Sequence, residues 1–496
     1  MFSSVPWAGD GTITLTPHPM RLLCAFLLAA ALGAAAETRP LKAGAAASDV
    51  SPTEVPVNMP GGFSANPAKG VHDPLMSRAL VLSDGETSFA LVVVDNLGIA
   101  PAILVEAKAL AATKTGLATD RMFISSTHTH SGAAVPSEKD DDAQGEARKG
   151  QVNRRRLVEG IAESIIRAHA ALRPAAVAVG TQPLPHEVFN RRWFLKPGQM
   201  KPNPFGGTDQ VKMNPPNSPA ALDRPAGPTD PAITFLSLQD ARKRPLGLFA
   251  NYSLHYVGAT PRGLISADYY GEFARLMPQR LGEPALVAMM SNGTSGDINN
   301  TPFGTIRPPR EPMEQARIVA QEAADAVWFA SRDLAAHDPR PLLGMTERML
   351  KLKYRRPTKE QMLYARAVLA LKDPEAIKRL PALAEPYARR TIAAYERPED
   401  TVDVVLQVVR IGDFAIVGIP FETFAEIGLG LKAKSPFART MVVGLANGRH
   451  GYLPTPAQHE LGGYETWLGT CNVQTDASDL IRRELDGMLA EMKALR

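Results

Sequence analysis

From about Ala43 onward the chain alternates short apolar runs with longer stretches of helical period, and no other feature limits its fold so tightly. A short apolar run bounded by Gly, Pro, Asn or Asp reads as a buried strand. Apolar positions repeating every three or four residues read as a helix. On these patterns residues 79–82 and 88–95 are two strands joined by a Ser83-Asp84-Gly85 turn, 101–115 is a helix, and 122–126 is the next buried strand. A helix over 154–172 leads to a strand at 175–180, and 233–238 with 246–252 form another strand pair. Residues 285–290 are a strand running into a Gly-rich turn, 314–334 is a long amphipathic helix, and 357–396 is a helical hairpin interrupted near Asp373-Pro374. Strands at 402–411 and 414–419 and a helix at 477–495 complete the pattern. The expected fold is α/β with a mixed sheet, in a single large domain over 37–496 without internal repeats.

Composition supports a globular chain with a large core: 496 residues, 45% hydrophobic and 21% charged. The net charge of +4 is small for this length, and no basic tract alternates with aromatics, so nucleic acid is not an expected partner. Residues 196–231 stand apart, with nine prolines and no period. Loops of that length usually cover a site or act as linkers, and this one is expected to be an ordered cover.

At the start of the chain, Arg21 precedes an apolar run from Leu22 to Ala36 that closes on Ala34-Ala35-Ala36 before Glu37. That is the layout of a secretory signal peptide over 20–36. The run is shorter than the roughly 20 residues of a spanning helix, and no second candidate follows it. Residues 1–19 do not fit the signal and are expected to be a non-native or disordered extension before a natural start at Met20. Of the two cysteines, Cys24 falls in the leader and Cys471 would remain alone, which leaves no intramolecular disulfide.

The strongest local signal for chemistry is Ser125-Ser126-Thr127-His128-Thr129-His130-Ser131-Gly132. In an extended segment alternate residues point the same way, so both histidines would face one side, as at a strand end that presents imidazoles to a metal. The same spacing also fits a solvent-facing strand end with two hydrogen-bonded histidines. His255, just after the 246–252 strand, reads alone as a satisfied loop histidine. Glu422, beyond Gly418-Ile419-Pro420, reads equally as a carboxylate in the first turn of a helix. Tyr452, in Gly448-Arg449-His450-Gly451-Tyr452-Leu453-Pro454, reads as a packing residue.

Together these segments resemble the neutral, non-lysosomal ceramidases. The resemblance rests on Ala43-Gly44-Ala45-Ala46 leading to Asp49, the Thr127-His128-Thr129-His130-Ser131-Gly132 run and Gly296-Asp297. It continues through Pro420-Phe421-Glu422, Gly451-Tyr452-Leu453-Pro454-Thr455 and Gly463-Tyr464-Glu465, in the family's order over 43–467. It implies a zinc site made by His128, His255, Glu422 and Tyr452, with His130 beside the ion and Phe421 in place of the family's glycine. It also implies that Asn190, Arg191 and Tyr464 line the substrate site, with Arg191 anchoring a polar or anionic part of the substrate.

Two departures stand out. The family's nucleophile turn reads Asn-x-Gly-Asp-Val-Ser-Pro-Asn, whereas this chain reads Asn292-Gly293-Thr294-Ser295-Gly296-Asp297-Ile298-Asn299-Asn300, so Asn299 occupies the serine position. With little sequence after its last expected helix, the chain is also expected to lack the family's C-terminal immunoglobulin-like domain.

The resulting expectation is a zinc-dependent hydrolase of a linear, N-acyl-type, lipid-like amide, working through metal-activated water. His130 would be the general acid/base, Tyr452 and Asn299 would support the oxyanion, and Asp297 would belong to the catalytic turn. Hydrolysis of an ester or other carbonyl on the same site, or a zinc-containing binding protein without turnover, are the alternatives. The leader predicts that protein from its native host begins near Glu37 and lies in the periplasm or medium; N-terminal sequencing that finds 20–36 retained on the functional protein would contradict it.

Overall fold

Strands that are apolar on both faces need cover on both sides. In the computed structural model, which describes residues 39–495, two sheets meet that need by packing against each other and under helices. The expected leader at 20–36 and the extension at 1–19 lie outside the described residues. The larger sheet contains β1 (Lys42–Asp49), β2 (Met76–Ser83), β3 (Ser88–Val94), β4 (Met122–Ser126), β5 (Arg173–Pro183), β6 (Ala232–Asp240), β7 (Pro245–Tyr252) and β8 (Val287–Asn292). Their order is β8-β7-β6-β5-β1-β2-β3-β4, antiparallel except at the two edges, where β7–β8 and β3–β4 are parallel. The smaller sheet runs β9 (Leu343–Lys353), β10 (Thr401–Ile411), β11 (Phe414–Ile419), β12 (Arg439–Gly444), with β11–β12 parallel.

The alternation of side chains shows why the sheets stack. Along β2, Ala79 and Val81 face outward while Leu80 and Leu82 face the second sheet. Along β10, Val409 and Ile411 return that contact and Leu406 and Val408 face the opposite way. Phe123, Leu236, Met289, Met345, Ile416 and Met441 fill the seam between the sheets. On the outer face of the large sheet lie α1 (Pro101–Thr115) and α2 (Gly145–Ala170), then α3 (Asp268–Leu281) and α4 (Glu314–Arg332). The expected hairpin is present as α5 (Lys359–Ala370) and α6 (Ala384–Glu396), packed on each other around Asp373-Pro374 and its short helix. Finally α7 (Ala425–Lys434) and α8 (Ala477–Ala494) cover the small sheet. The mixed α/β expectation holds, in four layers rather than around one sheet.

Periodicity places α1 and β4 where they are found. It misses α3, β9 and β12, and it starts α2 at 154 instead of Gly145, because the polar first turns of that helix carry no apolar stripe. The proline-rich segment 196–231 is not a plain loop. Val211–Met213 and Leu222–Pro225 pair on either side of Arg192–Leu195, strands too short to show a period. No helix among the described residues is long and apolar enough to cross a membrane.

The large sheet curls until its edge strands β4 and β8 approach each other, with β12 beside both. The carboxyl ends of β4, β7, β8 and β11 are thereby gathered at one place. The seam that holds this arrangement is tight: a Cβ on Gly418 would lie 2.7 Å from the ring of Phe123. Phe123→Ala should therefore lower stability by about 3–5 kcal/mol, read as a shifted midpoint in denaturant unfolding; an unchanged midpoint would mean the seam contributes little.

Candidate metal centre

β4 stops at Ser126 and the chain turns there. Thr127 N–H donates to Val94 O at 3.0 Å and His128 N–H to Asn96 O at 2.8 Å. His128 adopts φ 71°, in the left-handed region, which costs a residue with a Cβ roughly 1–2 kcal/mol. The two histidines are therefore not alternate members of an extended segment, as their spacing suggests. The turn brings them together instead, with His130 Nε2 3.2 Å from His128 Nε2 and the rings nearly perpendicular. His255, just beyond β7, places its Nε2 3.1 Å from that of His128. Glu422, just beyond β11, places Oε2 3.3 Å from His128 Nε2 and 4.0 Å from His255 Nε2. Tyr452 is paired with Glu422 through two short parallel strands.

Tautomers decide what this cluster can hold. His128 Nδ1 lies 2.6 Å from Leu97 O and His255 Nδ1 lies 3.0 Å from Ser295 O. A backbone carbonyl only accepts, so each Nδ1 donates there, which turns each Nε2 toward the cluster and leaves that of a neutral ring as a lone pair. Burial, with Arg191 and His128 nearby, pushes the His255 pKa well below its usual value and keeps the ring neutral. Burial and His128 do the same to His130. Burial opposes the charge on Glu422, but His128, Tyr452 and Arg191 outweigh it and hold the carboxyl below the ordinary range. Glu422 Oε2 is buried and accepts no hydrogen bond. Imidazole nitrogens and a carboxylate oxygen without a hydrogen bond thus converge in a buried place, a donor set that suits a cation. Nitrogen with one carboxylate and a phenol suits zinc better than calcium or magnesium, which take oxygen ligands.

The surrounding shell changes several sequence expectations. Arg191 donates from Nε to Glu465 at 3.0 Å and from Nη2 to Gly296 O at 2.8 Å and Tyr452 Oη at 3.0 Å, while Nη1 lies 3.4 Å from His255 Nε2. It is buried, and its bonds to Tyr452 and Gly296 orient that side of the site. Arg192 shares Glu465 at 2.7 Å, and all three charged groups lie out of solvent. Asn190 is also engaged, donating to Asp297 Oδ2 at 2.8 Å and accepting from Arg192 N–H at 3.0 Å. Asp297 braces this corner, because its Oδ1 accepts the first N–H of α7 at 2.8 Å. Burial raises the Asp297 carboxyl to about 6, but no hydrogen bond joins it to the histidines. Asn299 donates to Asn214 at 2.7 Å on a partly exposed edge and has no contact with the cluster among the hydrogen bonds of the described residues.

Ser295 lies behind His255, with Oγ 3.3 Å from Nδ1 and donating to Asn292 at 2.7 Å. It is on the side of the ring away from the converging Nε2 atoms. Next to it the turn touches the Glu422 segment: a Cβ on Gly296 would lie 2.4 Å from Glu422 O, so only glycine fits. Tyr464 lies edge-on to Tyr452 at 5.7 Å and lines a cavity that reaches Glu422. Sequence reasoning missed Tyr256, stacked on His130 at 3.7 Å. It also missed the Arg192–Glu465 pair, although Glu465 stood inside a motif already singled out.

Residues 41–306, more than half of the chain, match the family described as neutral/alkaline non-lysosomal ceramidase, N-terminal. A structure described as neutral ceramidase from Pseudomonas aeruginosa superposes with a TM-score of 0.66 at 17% identity, covering 92% of this chain and 74% of that one. A structure described as ceramidase complexed with C2 gives 0.67 at 16% identity, covering 92% and 75%. At these identities the superpositions speak for the fold, and the sequence match speaks for descent. The chain belongs to the neutral/alkaline non-lysosomal ceramidase family.

Proposed function

We propose that this protein is an exported, zinc-dependent hydrolase that cleaves a linear N-acyl amide. The observation that carries the reading is the convergence of imidazole nitrogens on a buried carboxylate oxygen without a hydrogen bond. His128, His255, Glu422 and Tyr452 would hold the ion, with His130 beside it. A zinc ion in such a place supplies Lewis acidity, polarising a carbonyl and lowering the pKa of water.

The chain's own groups do the rest. His130 is held neutral by burial and clamped between the Tyr256 ring and the backbone of Gly61, where a Cβ would lie 2.3 Å from its Nδ1. It can therefore take a proton from the attacking water and return it to the departing nitrogen as the C–N bond breaks. Tyr452, its oxygen fixed by Arg191, offers a polar group where charge develops on the carbonyl oxygen. Arg191 contributes by holding Tyr452 and the Gly296 turn. Asn299 cannot form an acyl-enzyme, and the position of Ser295 behind His255 favours direct attack by water.

Elemental analysis should find one zinc per chain, with His128→Ala and Glu422→Ala losing it; full occupancy in both variants would overturn the ligand set. His130→Ala should lower turnover on the order of a hundredfold or more, as for other general acid/bases. Ser295→Ala should lose less than about tenfold, or 1.4 kcal/mol. The reverse ranking, or an acyl adduct on Ser295 by mass spectrometry, would return the mechanism to a serine nucleophile.

A further inference from the structure

The cavity that reaches Glu422 and Tyr452 has a volume of about 340 Å³, and Arg390, Arg397 and Arg449 line it. Among the described residues that line it Glu422 is the only carboxylate, so three guanidiniums face one acid that the metal site already uses. Among the described residues none of the three arginines makes a salt bridge, unlike Arg348, Arg356 and Arg389 nearby in sequence. Aromatic faces hold two of them. Arg390 lies 5.1 Å from the Phe63 ring centre and 5.0 Å from that of Tyr387, and Arg397 lies 4.0 Å from that of Tyr354. Stacking fixes the plane of a guanidinium and leaves its edge donors free. Arg390 uses one of these on Gly469 O at 3.3 Å, and Arg397 Nη1 is buried with no acceptor. A guanidinium edge without an acceptor favours an anion.

A second, mainly apolar cavity of about 500 Å³ lies under the proline-rich segment and is lined by Phe63, Met213, Leu380 and Trp467. Tyr464 lines both cavities. We infer that the substrate is an N-acyl amino acid: its carboxylate meets Arg390, Arg397 and Arg449, its acyl chain lies in the apolar cavity, and its amide crosses at Tyr464 and Tyr452. This rests on the amide-hydrolase reading above and names the substrate class for it. Hydrolysis adds water across the C–N bond and releases a fatty acid and a free amino acid, with no redox partner. A neutral lipid amide would leave the three guanidiniums without a counter-ion.

The test compares N-dodecanoyl-glycine with N-dodecanoyl-ethanolamine, which differ in little beyond carboxylate against hydroxymethyl, on the zinc-loaded full chain. The ratio of kcat/KM should favour the glycine conjugate by at least about tenfold. It should fall toward one in Arg397→Gln and in Arg449→Gln, the latter an exposed position that guards against a folding defect. Equal or better cleavage of the ethanolamide, with the ratio unmoved by either variant, overturns the anion subsite and leaves the amide-hydrolase reading standing. Cleavage of neither defeats that reading, and calorimetry with N-dodecanoyl-glycine then decides the subsite alone. Binding weakened in both variants supports it; no binding, or equal affinity in wild type and variants, overturns it.

Discussion

The apolar seam between the two sheets is the constraint from which the rest of the structure follows. Leucine, valine, phenylalanine and methionine from both sheets interdigitate there, so neither sheet can slide without opening a cavity. Because the large sheet curls while packed on the small one, parallel strand ends that are far apart in its order become neighbours. His128 follows the edge strand β4, His255 follows β7 next to the opposite edge, and Glu422 follows β11 of the other sheet. No single supersecondary unit contains the site.

That assembly concentrates like against like in a place poor in water. Two lone pairs and a carboxylate oxygen lie within a few ångströms, and the shell limits the cost by its choice of partners. Carbonyls of Leu97 and Ser295 fix the tautomers, and Arg191 brings positive charge to the side occupied by Tyr452 and His255. Arg191 would itself be an uncompensated buried cation without Glu465, and Glu465 is stabilised in turn by Arg192. A buried ion pair of this kind is weak evidence for stability but strong evidence for fixed geometry, since removing one member strands the others.

Much of this was legible from sequence, for identifiable reasons. Buried strands flanked by turn residues announce themselves, and β4, α1, β10 and β11 fall close to their expected places. The histidine pair was recognised by spacing, yet for a reason the backbone does not share, because His128 leaves the extended region at the residue that matters. Glu422 and Tyr452 could be singled out only through the order of spaced motifs, since each alone passes for a capping or packing residue. Occupied donors were not legible. Nothing in the string Asn190-Arg191 says that Glu465 and Gly296 have already taken those side chains. Arg390 and Arg397 sit on or beside a helical hairpin read from sequence only as an element, and their lack of carboxylate partners is a property of the folded surface.

The spread of the cluster along the chain has a mechanical consequence. An ion seated between His128, His255, Glu422 and Tyr452 would close two loops of well over a hundred residues and one of about thirty, and tie one edge of the large sheet and the strand next to its other edge to the end of the small sheet. It would behave as a rivet through the stack: unfolding could not begin by peeling β4 from its edge without first letting go of the ion. Since such a site is absent from the unfolded chain, the free energy of ion binding adds to that of folding. Chelation would then do more than remove a reagent, and would leave a scaffold whose weakest points are the strand ends that the ion had held together.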